Sequence, residues 1–247
     1  MKVSIITPSF NSKDSIEDTI ISVLSQDYSD IEYIIIDGKS TDGTLDIVKK
    51  YENKINKLIS EPDNGIYDAM NKGISLATGE IIGILNSDDL YYSENVISKV
   101  VDVFNKHKVD CCWGNLLYFD NKKEDKIVRR WRSSNYEKGL FEKGWQIPHP
   151  TFFVKKEIYE KYGTYNPSFK ITGDYELILR FLEKKKIKSF FIPEFLVKMR
   201  LGGASNKNIF NIIRGNIECY KAWKINGLET NPLKLFFKPF SKIKQYF

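Results

Sequence analysis

The stretch Ile81-Ile82-Gly83-Ile84-Leu85-Asn86-Ser87-Asp88-Asp89-Leu90 begins as an apolar run and ends on two adjacent carboxylates. Such a run is the pattern of a strand buried in a parallel sheet. In open α/β sheets, ligands gather beyond the carboxyl ends of the strands. Asp88 and Asp89 would stand there. Two carboxylates suit a hard divalent cation, Mg²⁺ or Mn²⁺, which takes oxygen ligands. Such a cation holds a diphosphate and neutralises charge on a leaving phosphate. Asn86-Ser87-Asp88-Asp89 is equally good turn and helix-cap chemistry, so the pair alone leaves both readings open.

Upstream, strand-like and helix-like units alternate. Lys2 to Thr7 reads as a central strand stopped by Pro8, and Asn11 or Ser12 as the cap of a helix with Ile16, Ile20, Val23 and Leu24 on one face. Ile31 to Ile36 is a second buried strand. It ends in Asp37-Gly38-Lys39-Ser40-Thr41-Asp42-Gly43-Thr44, a loop of glycine and small polar residues that suits a ribose or base edge, or is an ordinary turn. Lys57 to Glu61 is a third strand. Asp63 or Asn64 then caps a helix to about Ala77, with Ile66, Met70 and Ile74 inward and Tyr67, Asp68, Asn71 and Lys72 on the other sides. The order β-α-β-α-β-α-β predicts a mostly parallel sheet. Asp37, the Gly65 loop and Asp88-Asp89 then share its carboxyl edge.

Downstream, Glu94 to about Lys106 reads as a helix, Asp110 to Phe119 as a strand, Asp120 to Asp125 as a charged turn and Lys126 to Trp131 as the return strand. Ser133 to Gly144 reads as a loop or lid, and Gln146 to Val154 as a strand. His149, between Pro148 and Pro150, has a rigid backbone; it is structural, or it holds a phosphate or metal. Lys155 to Tyr162 is a short helix. Asp174 opens the next helix, where the dipole favours the ionised form that a general base needs; a plain N-cap is the alternative. Lys188 to Ile192 and Leu196 to Arg200 read as short strands, and Leu201 to Asn206 as a small-residue loop whose amides suit an anion. Asn208 to about Asn226 is a helix.

At 247 residues, 42% hydrophobic and 28% charged, the composition is that of a soluble globular protein. Met1-Lys2 leads straight into a strand, so no secretory signal peptide is read, and no window approaches about 18 apolar residues. Cys111, Cys112 and Cys219 have neither zinc spacing nor an obvious pairing, which points to a cytosolic compartment. The net charge of +6 lies wholly in residues 206–247, with eight Lys/Arg against two acids. From Pro232 onward, Leu233, Phe236, Phe237 and Phe240 share one helical face and Lys234, Lys238 and Lys242 another. This fits an interfacial segment on an anionic membrane, or a tail packed on protein. The body carries no basic stripe with interleaved aromatics, so nucleic acid is a weak candidate.

Seven motifs then follow in order: Ser4 to Asn11, Ile36 to Thr44, Asp63 to Gly73, Leu85 to Asp89, His149 to Phe153, Gly173 to Leu177 and Arg200 to Ser205. On these the chain resembles the family 2 inverting glycosyltransferases of GT-A fold, most of all the bacterial branch that builds capsule, O-antigen and exopolysaccharide. The resemblance implies an α/β, Rossmann-like sheet flanked by helices over residues 1–206. Residues 1–110 would bind the nucleotide sugar, 111–206 would bind the acceptor and carry catalysis, and 207–247 would form a helical tail. It implies a hexosyl- or N-acetylhexosaminyltransferase using a nucleotide-diphosphate sugar, a UDP-sugar first, with Mn²⁺ or Mg²⁺. The acceptor would be a lipid-linked sugar or saccharide at the inner face of the plasma membrane. Position by position, Thr7, Pro8 and Asp37 would contact the base. Gly65, Asp68, Lys72 and Ser205 would lie near the nucleotide and diphosphate. Asp88 would meet the ribose or sugar, Asp89 the metal, and Asp174 would be the catalytic base. Many relatives carry Asp-Asp-Gly-Ser where this chain has Asp37-Gly38-Lys39-Ser40, which leaves one carboxylate for the base. A sugar-nucleotide nucleotidyltransferase would show a Gly-rich, basic loop after the first strand, and Pro8-Ser9-Phe10-Asn11 is not one. A catalytically silent nucleotide-sugar-binding scaffold is the other alternative.

Overall fold

The computed structural model of the protein describes residues 1–120, 126–201 and 209–230. The turn after Asp120, the loop with Ser205 and the tail from Pro232 to Phe247 lie outside the described residues. The first elements alternate as their periodicity requires: β1 (Val3–Ser9), α1 (Ile16–Leu24), β2 (Ile31–Asp37), α2 (Thr44–Lys49), β3 (Lys57–Ser60), α3 (Ile66–Leu76) and β4 (Ile81–Ile84). β1 pairs in parallel with β2 and β4, and β2 with β3. The register sets Ser9 beside Asp37 and Asp37 beside Ser60. The carboxyl ends of these strands therefore form one edge.

All 7 residues of β1 are buried. Ile6, Ile34, Ile36, Ile82 and Ile84 face one core, while Val3, Ile5, Tyr33, Ile35 and Ile81 face another. A strand whose side chains alternate between two covered faces must be apolar almost throughout, which is why these segments read as continuous runs.

The second half adds β5 (Asp89–Tyr91), α4 (Val96–His107), β6 (Cys111–Asp120), β7 (Lys126–Trp131), β8 (Phe153–Lys155), α5 (Lys156–Tyr162), α6 (Gly173–Leu179), β9 (Ser189–Arg200) and α7 (Ile209–Ile225). A π-helical turn, Arg180–Lys184, prolongs α6. The sheet runs β3-β2-β1-β4-β8-β6-β9-β5, with β7 on β6. Beyond β4 it is mixed: β8 is antiparallel to β4 and β6, β7 to β6 and β5 to β9, whereas β9 is parallel to β6. The β4–β8 junction requires glycine, because a Cβ on Gly83 would meet the Phe153 ring at 2.5 Å.

Several local expectations are corrected. Gln146 to Val154 is not one strand. Pro148 and Pro150 lack the N–H a ladder needs, His149–Thr151 forms a 3₁₀ turn, and pairing starts at Phe153. Lys188 to Ile192 and Leu196 to Arg200 join into the single strand β9. Its pairing with β6 is interrupted between Phe191 and Phe195, where Pro193 is accommodated. The segment Ser133 to Gly144, read as a loop or lid, is a loop with one 3₁₀ turn, Phe141–Lys143, and is anchored on the body. Phe141 is fully buried, and Ser133 accepts from Trp113 Nε1 (3.1 Å) and donates its N–H to Asn115 Oδ1 (2.8 Å). Helix α1 starts at Ile16 with Ser15 at the cap position, later than Asn11 or Ser12. In α3, Ile66 is exposed and Tyr67 buried, because the first turn borders the sheet edge rather than the core.

Two buried polar nodes tie the layers. Glu32, 3% exposed, accepts from Ser4 Oγ (2.5 Å), Thr78 N (2.7 Å) and Thr78 Oγ1 (2.9 Å) and pairs with Lys57 (3.2 Å). Burial pushes its pKa up, but the bonds from Ser4, Thr78 and Lys57 outweigh this and hold it at about 2. Arg180 grips both oxygens of buried Glu176 (Nε 3.0 Å, Nη2 3.1 Å) and donates to the carbonyls of Tyr162, Gly163 and Thr164. Asn226, just past α7, donates to the same Glu176 (3.0 Å).

Candidate functional site

The sheet edge is closed by two interlocked loops. Asn11, in the left-handed region (φ 48), accepts from Thr41 N (3.0 Å) and donates its own N–H to Ser40 Oγ (2.8 Å). Ser12 N donates to Thr44 Oγ1 (2.8 Å), and Ser12 and Ser87 hydroxyls meet at 2.7 Å. Asp37 is fully buried. Its Oδ1 accepts from Ser40 Oγ (2.5 Å), and its Oδ2 from Ser40 N (2.9 Å) and Ser60 Oγ (2.7 Å). Thr7 is equally buried and faces Tyr33 OH at 3.2 Å, and Pro8 lies within the β1–β2 pairing. These side chains build the floor of the edge. Phe10, 62% exposed, stands above it.

The loop before α3 folds on its own acids. Gly65 takes φ 112 at the cap position, where a side chain would be strained. Asp63 Oδ1 accepts from Gly65 N (2.9 Å) and Asp68 Oδ2 from Asn64 N (3.0 Å), which ties the loop to itself; Gly65 takes the cap position and no side chain caps α3, contrary to the expectation for Asp63 or Asn64. Lys72 pairs with Glu61 (2.8 Å) and Asp68 (3.6 Å) and donates to Pro62 O (3.0 Å). The Glu61 bond raises its pKa.

A chain of polar groups crosses the edge between the two halves of the sheet. Tyr67 OH lies 2.9 Å from Ile171 O and 3.2 Å from Asp174 Oδ1. Asp174 Oδ2 stands 3.4 Å from His149 Nδ1. His149 Nε2 lies 3.3 Å from Asn86 Nδ2, which also donates to Asp89 Oδ2 (3.1 Å). Burial lowers the His149 pKa against the pull of Asp174 and Asp88. A neutral ring protonated on Nδ1 satisfies both neighbours, turning N–H toward a carboxylate and a lone pair toward an amide. The structure thus gathers Asp88, Asp89, Asp174 and His149, which the sequence had singled out. It adds Tyr67 and Asn86, which the sequence reading did not. Thr7 faces Tyr33 and Pro8 lies in the β1–β2 ladder, Asp37 and Lys72 bond neighbouring residues of the edge, and Ser205 lies outside the described residues.

A third missed residue is Glu218 on α7, which sequence reading had counted only as an acid of the basic tail. Its carboxylate accepts from Lys170 N (3.1 Å), Ile171 N (2.9 Å) and Thr172 N (2.9 Å), the residues leading to Asp174. Burial works against its charge, but these amides hold its pKa down. A search for acids in a basic segment offers no signal for this, since the contact spans 46 residues or more.

Two buried oxygens here have no hydrogen-bond partner, Asp89 Oδ1 and Asn86 Oδ1. Burial, then the neighbouring charge of Asp88, drives the Asp89 pKa well up, while Asn86 and Arg200 draw it back. Carboxylate and amide oxygens are the donors a hard divalent cation takes, and the strain on Asp89 is what a cation relieves. Among the described residues no three His, Cys, Asp or Glu side chains gather into a metal cage. That fits an ion held by one or two carboxylates together with a ligand's phosphates, the usual habit of Mg²⁺.

The model of a family described as "Glycosyl transferase family 2" matches residues 4–163. An uncharacterized glycosyltransferase of Mycobacterium tuberculosis is 35% identical over 184 residues, 72% of this chain and 68% of that protein. One of Rickettsia typhi is 31% identical over 214 residues, 83% of this chain and 66% of that protein. In structure, the chain resembles Staphylococcus aureus TarS 1-349 in complex with UDP-GlcNAc, with TM-score 0.70 and 16% identity over 98% of this chain and 73% of that one. It also resembles the mannosyltransferase PcManGT of Pyrobaculum calidifontis in complex with GDP-Man and Mn²⁺, with TM-score 0.67 and 19% identity over 96% and 67%. At these identities the structures speak for the fold, which is GT-A.

Proposed function

This chain belongs to glycosyl transferase family 2, and from that premise we propose that it moves a sugar from a nucleoside-diphosphate donor to a saccharide or lipid-linked acceptor, inverting the anomeric carbon. The observation that carries this reading is Asp174, a half-buried carboxylate flanked by Tyr67 and His149 and linked through Asn86 to Asp89. It has the surroundings of a positioned base beside a set of oxygen donors. The UDP, UDP-GlcNAc and GDP-Man complexes of the structural neighbours make a nucleotide sugar the natural donor class.

In this reading Asp174 accepts the proton of an acceptor hydroxyl. The hydroxyl oxygen attacks the anomeric carbon from the face opposite the leaving diphosphate, and one displacement inverts the configuration. Tyr67 on Oδ1 and His149 on Oδ2 fix the carboxylate's rotamer. Asp88 and Asp89, with Asn86, would hold Mn²⁺ or Mg²⁺, which when bound offsets charge on the departing diphosphate. Asp37, held by Ser40 and Ser60, forms part of the donor floor. Residues 1–110 serve as the donor half and 111–206 as the acceptor half. No described helix is long and apolar enough to cross a membrane. The basic tail would bring the body to an anionic surface, which suits assembly of a bacterial surface polysaccharide on the inner face of the plasma membrane.

The test is calorimetry with UDP, GDP, CDP and dTDP, each with and without Mn²⁺, on the wild type and on Asp174→Asn. The expected result is metal-dependent binding of a nucleotide by both proteins, with transfer in the variant reduced about 10²-fold or more. Absence of binding to all four in a folded sample, or near-normal turnover by Asp174→Asn, overturns the reading.

A further inference from the structure

The second strand ends in one acid, Asp37, followed by Gly38, and Asp37 is fully buried with three hydrogen bonds from Ser40 and Ser60. The space above Gly38 is not empty. A Cβ built there would lie 2.5 Å from Asp63 Oδ2, 3.2 Å from Asp63 Cγ and 3.2 Å from Phe10 Cδ2. Asp63 therefore occupies the place that a side chain at position 38 would take. Its Oδ1 is tethered to Gly65 N, which fixes the carboxylate and leaves Oδ2 on the Gly38 and Phe10 side. The other acids of that loop, Glu61 and Asp68, are engaged by Lys72.

The exposed Phe10 ring supplies a flat apolar face, and Asp63 supplies an acceptor beside it. This pair matches a planar heterocycle with an N–H on its edge. A carboxylate only accepts hydrogen bonds. Uracil and thymine present a ring N–H there, and guanine a ring N–H beside an amino group. Cytosine and adenine present a bare ring nitrogen whose lone pair would face the carboxylate. We propose that Asp63, reaching over Gly38, reads the nucleobase of the donor and restricts it to uracil, thymine or guanine. This rests on the donor-site reading above and names a residue and a substrate class within it.

Calorimetry in Mn²⁺ with UDP, dTDP, GDP, CDP and ADP tests it on the wild type, Asp63→Asn and Gly38→Ala. Wild type should bind at least one of UDP, dTDP and GDP, and prefer it to CDP and ADP by about tenfold or more. Asp63→Asn, whose amide both donates and accepts, should weaken the preferred nucleotide about ten- to a hundredfold and narrow its advantage over CDP. Gly38→Ala leaves Asp63 present but displaces it, and should shift selectivity in the same direction. Wild-type affinity and preference retained in both variants would overturn the assignment while leaving the donor site standing. So would a wild-type preference for CDP or ADP. Binding of none of the five by the wild type removes the donor site and this inference together.

Discussion

Arg180→Met tests whether the buried ion pair behind the site holds the second half of the fold together. The Arg180 side chain is 13% exposed and that of Glu176 2%. Methionine fills similar volume but supplies no donor. The variant leaves a buried carboxylate with Asn226 as its remaining described hydrogen-bond partner, and removes the guanidinium from the carbonyls of Tyr162, Gly163 and Thr164. Removing one partner of such a pair costs about 3 to 5 kcal/mol. At about 2.1 cal/mol/K per residue, the 247-residue chain melts with an entropy of roughly 0.5 kcal/mol/K. A loss of about 4 kcal/mol therefore lowers Tm by about 8 °C. Urea denaturation followed by far-UV circular dichroism, with a thermal melt beside it, gives both figures. Adding Glu176→Gln to Arg180→Met removes the stranded charge, keeps an acceptor for Asn226 and should recover about half the loss. A cost below about 1 kcal/mol for the single variant, or no recovery in the double, would refute the view that this pair is desolvated.

Three other outcomes follow from the described contacts. Glu32 has a folded pKa of about 2 against 4.5 for the free side chain. Its contribution of about 2 to 3 kcal/mol is therefore present above pH 4.5 and lost as pH falls toward 2. The stability gap between wild type and Glu32→Gln should shrink by more than half from pH 6 to pH 3, and a gap that stays constant in urea titrations would contradict it. Tyr67→Phe should lower kcat about tenfold with donor KM unchanged, by freeing the Asp174 carboxylate; an unaltered kcat removes Tyr67 from that role. Deleting residues 233–247 should release the protein from phosphatidylserine vesicles and leave transfer to a soluble acceptor intact, and equal vesicle binding with and without the tail would refute a membrane role for it.

The alternation of strands and helices was legible because periods of two and of 3.6 residues are local properties. The edge with Asp88 and Asp89 followed from where apolar runs stop, whereas Asp174 was placed only at the start of a helix. What was not legible is tertiary. Ile66 lies in register with Met70 and Ile74, but the wheel cannot know that the first turn of α3 overhangs the sheet edge. That geometry exposes Ile66 and carries Tyr67 inward to Asp174. Asp37 reads as a ligand contact because it is an acid at a strand end, and nothing local shows that Ser40 and Ser60 also bond it. His149 was picked out for its prolines. Its neighbours Asn86 and Asp174 are 63 and 25 positions away, beyond any local pattern.

The clasp of Glu218 on the backbone of Lys170, Ile171 and Thr172 has a consequence for the order of assembly. A chain leaving the ribosome forms its amino-terminal units first. Strands β1 to β4 draw only on residues up to 84, so the parallel edge is complete early. Strand β9 inserts between β6 and β5 much later, and α7 follows it. Until α7 docks, three amides on the approach to Asp174 lack the carboxylate that holds them and have only water to bond. The nascent protein thus possesses the floor of its parallel sheet edge long before Asp174 is locked in place, and the proposed chemistry has to wait for α7.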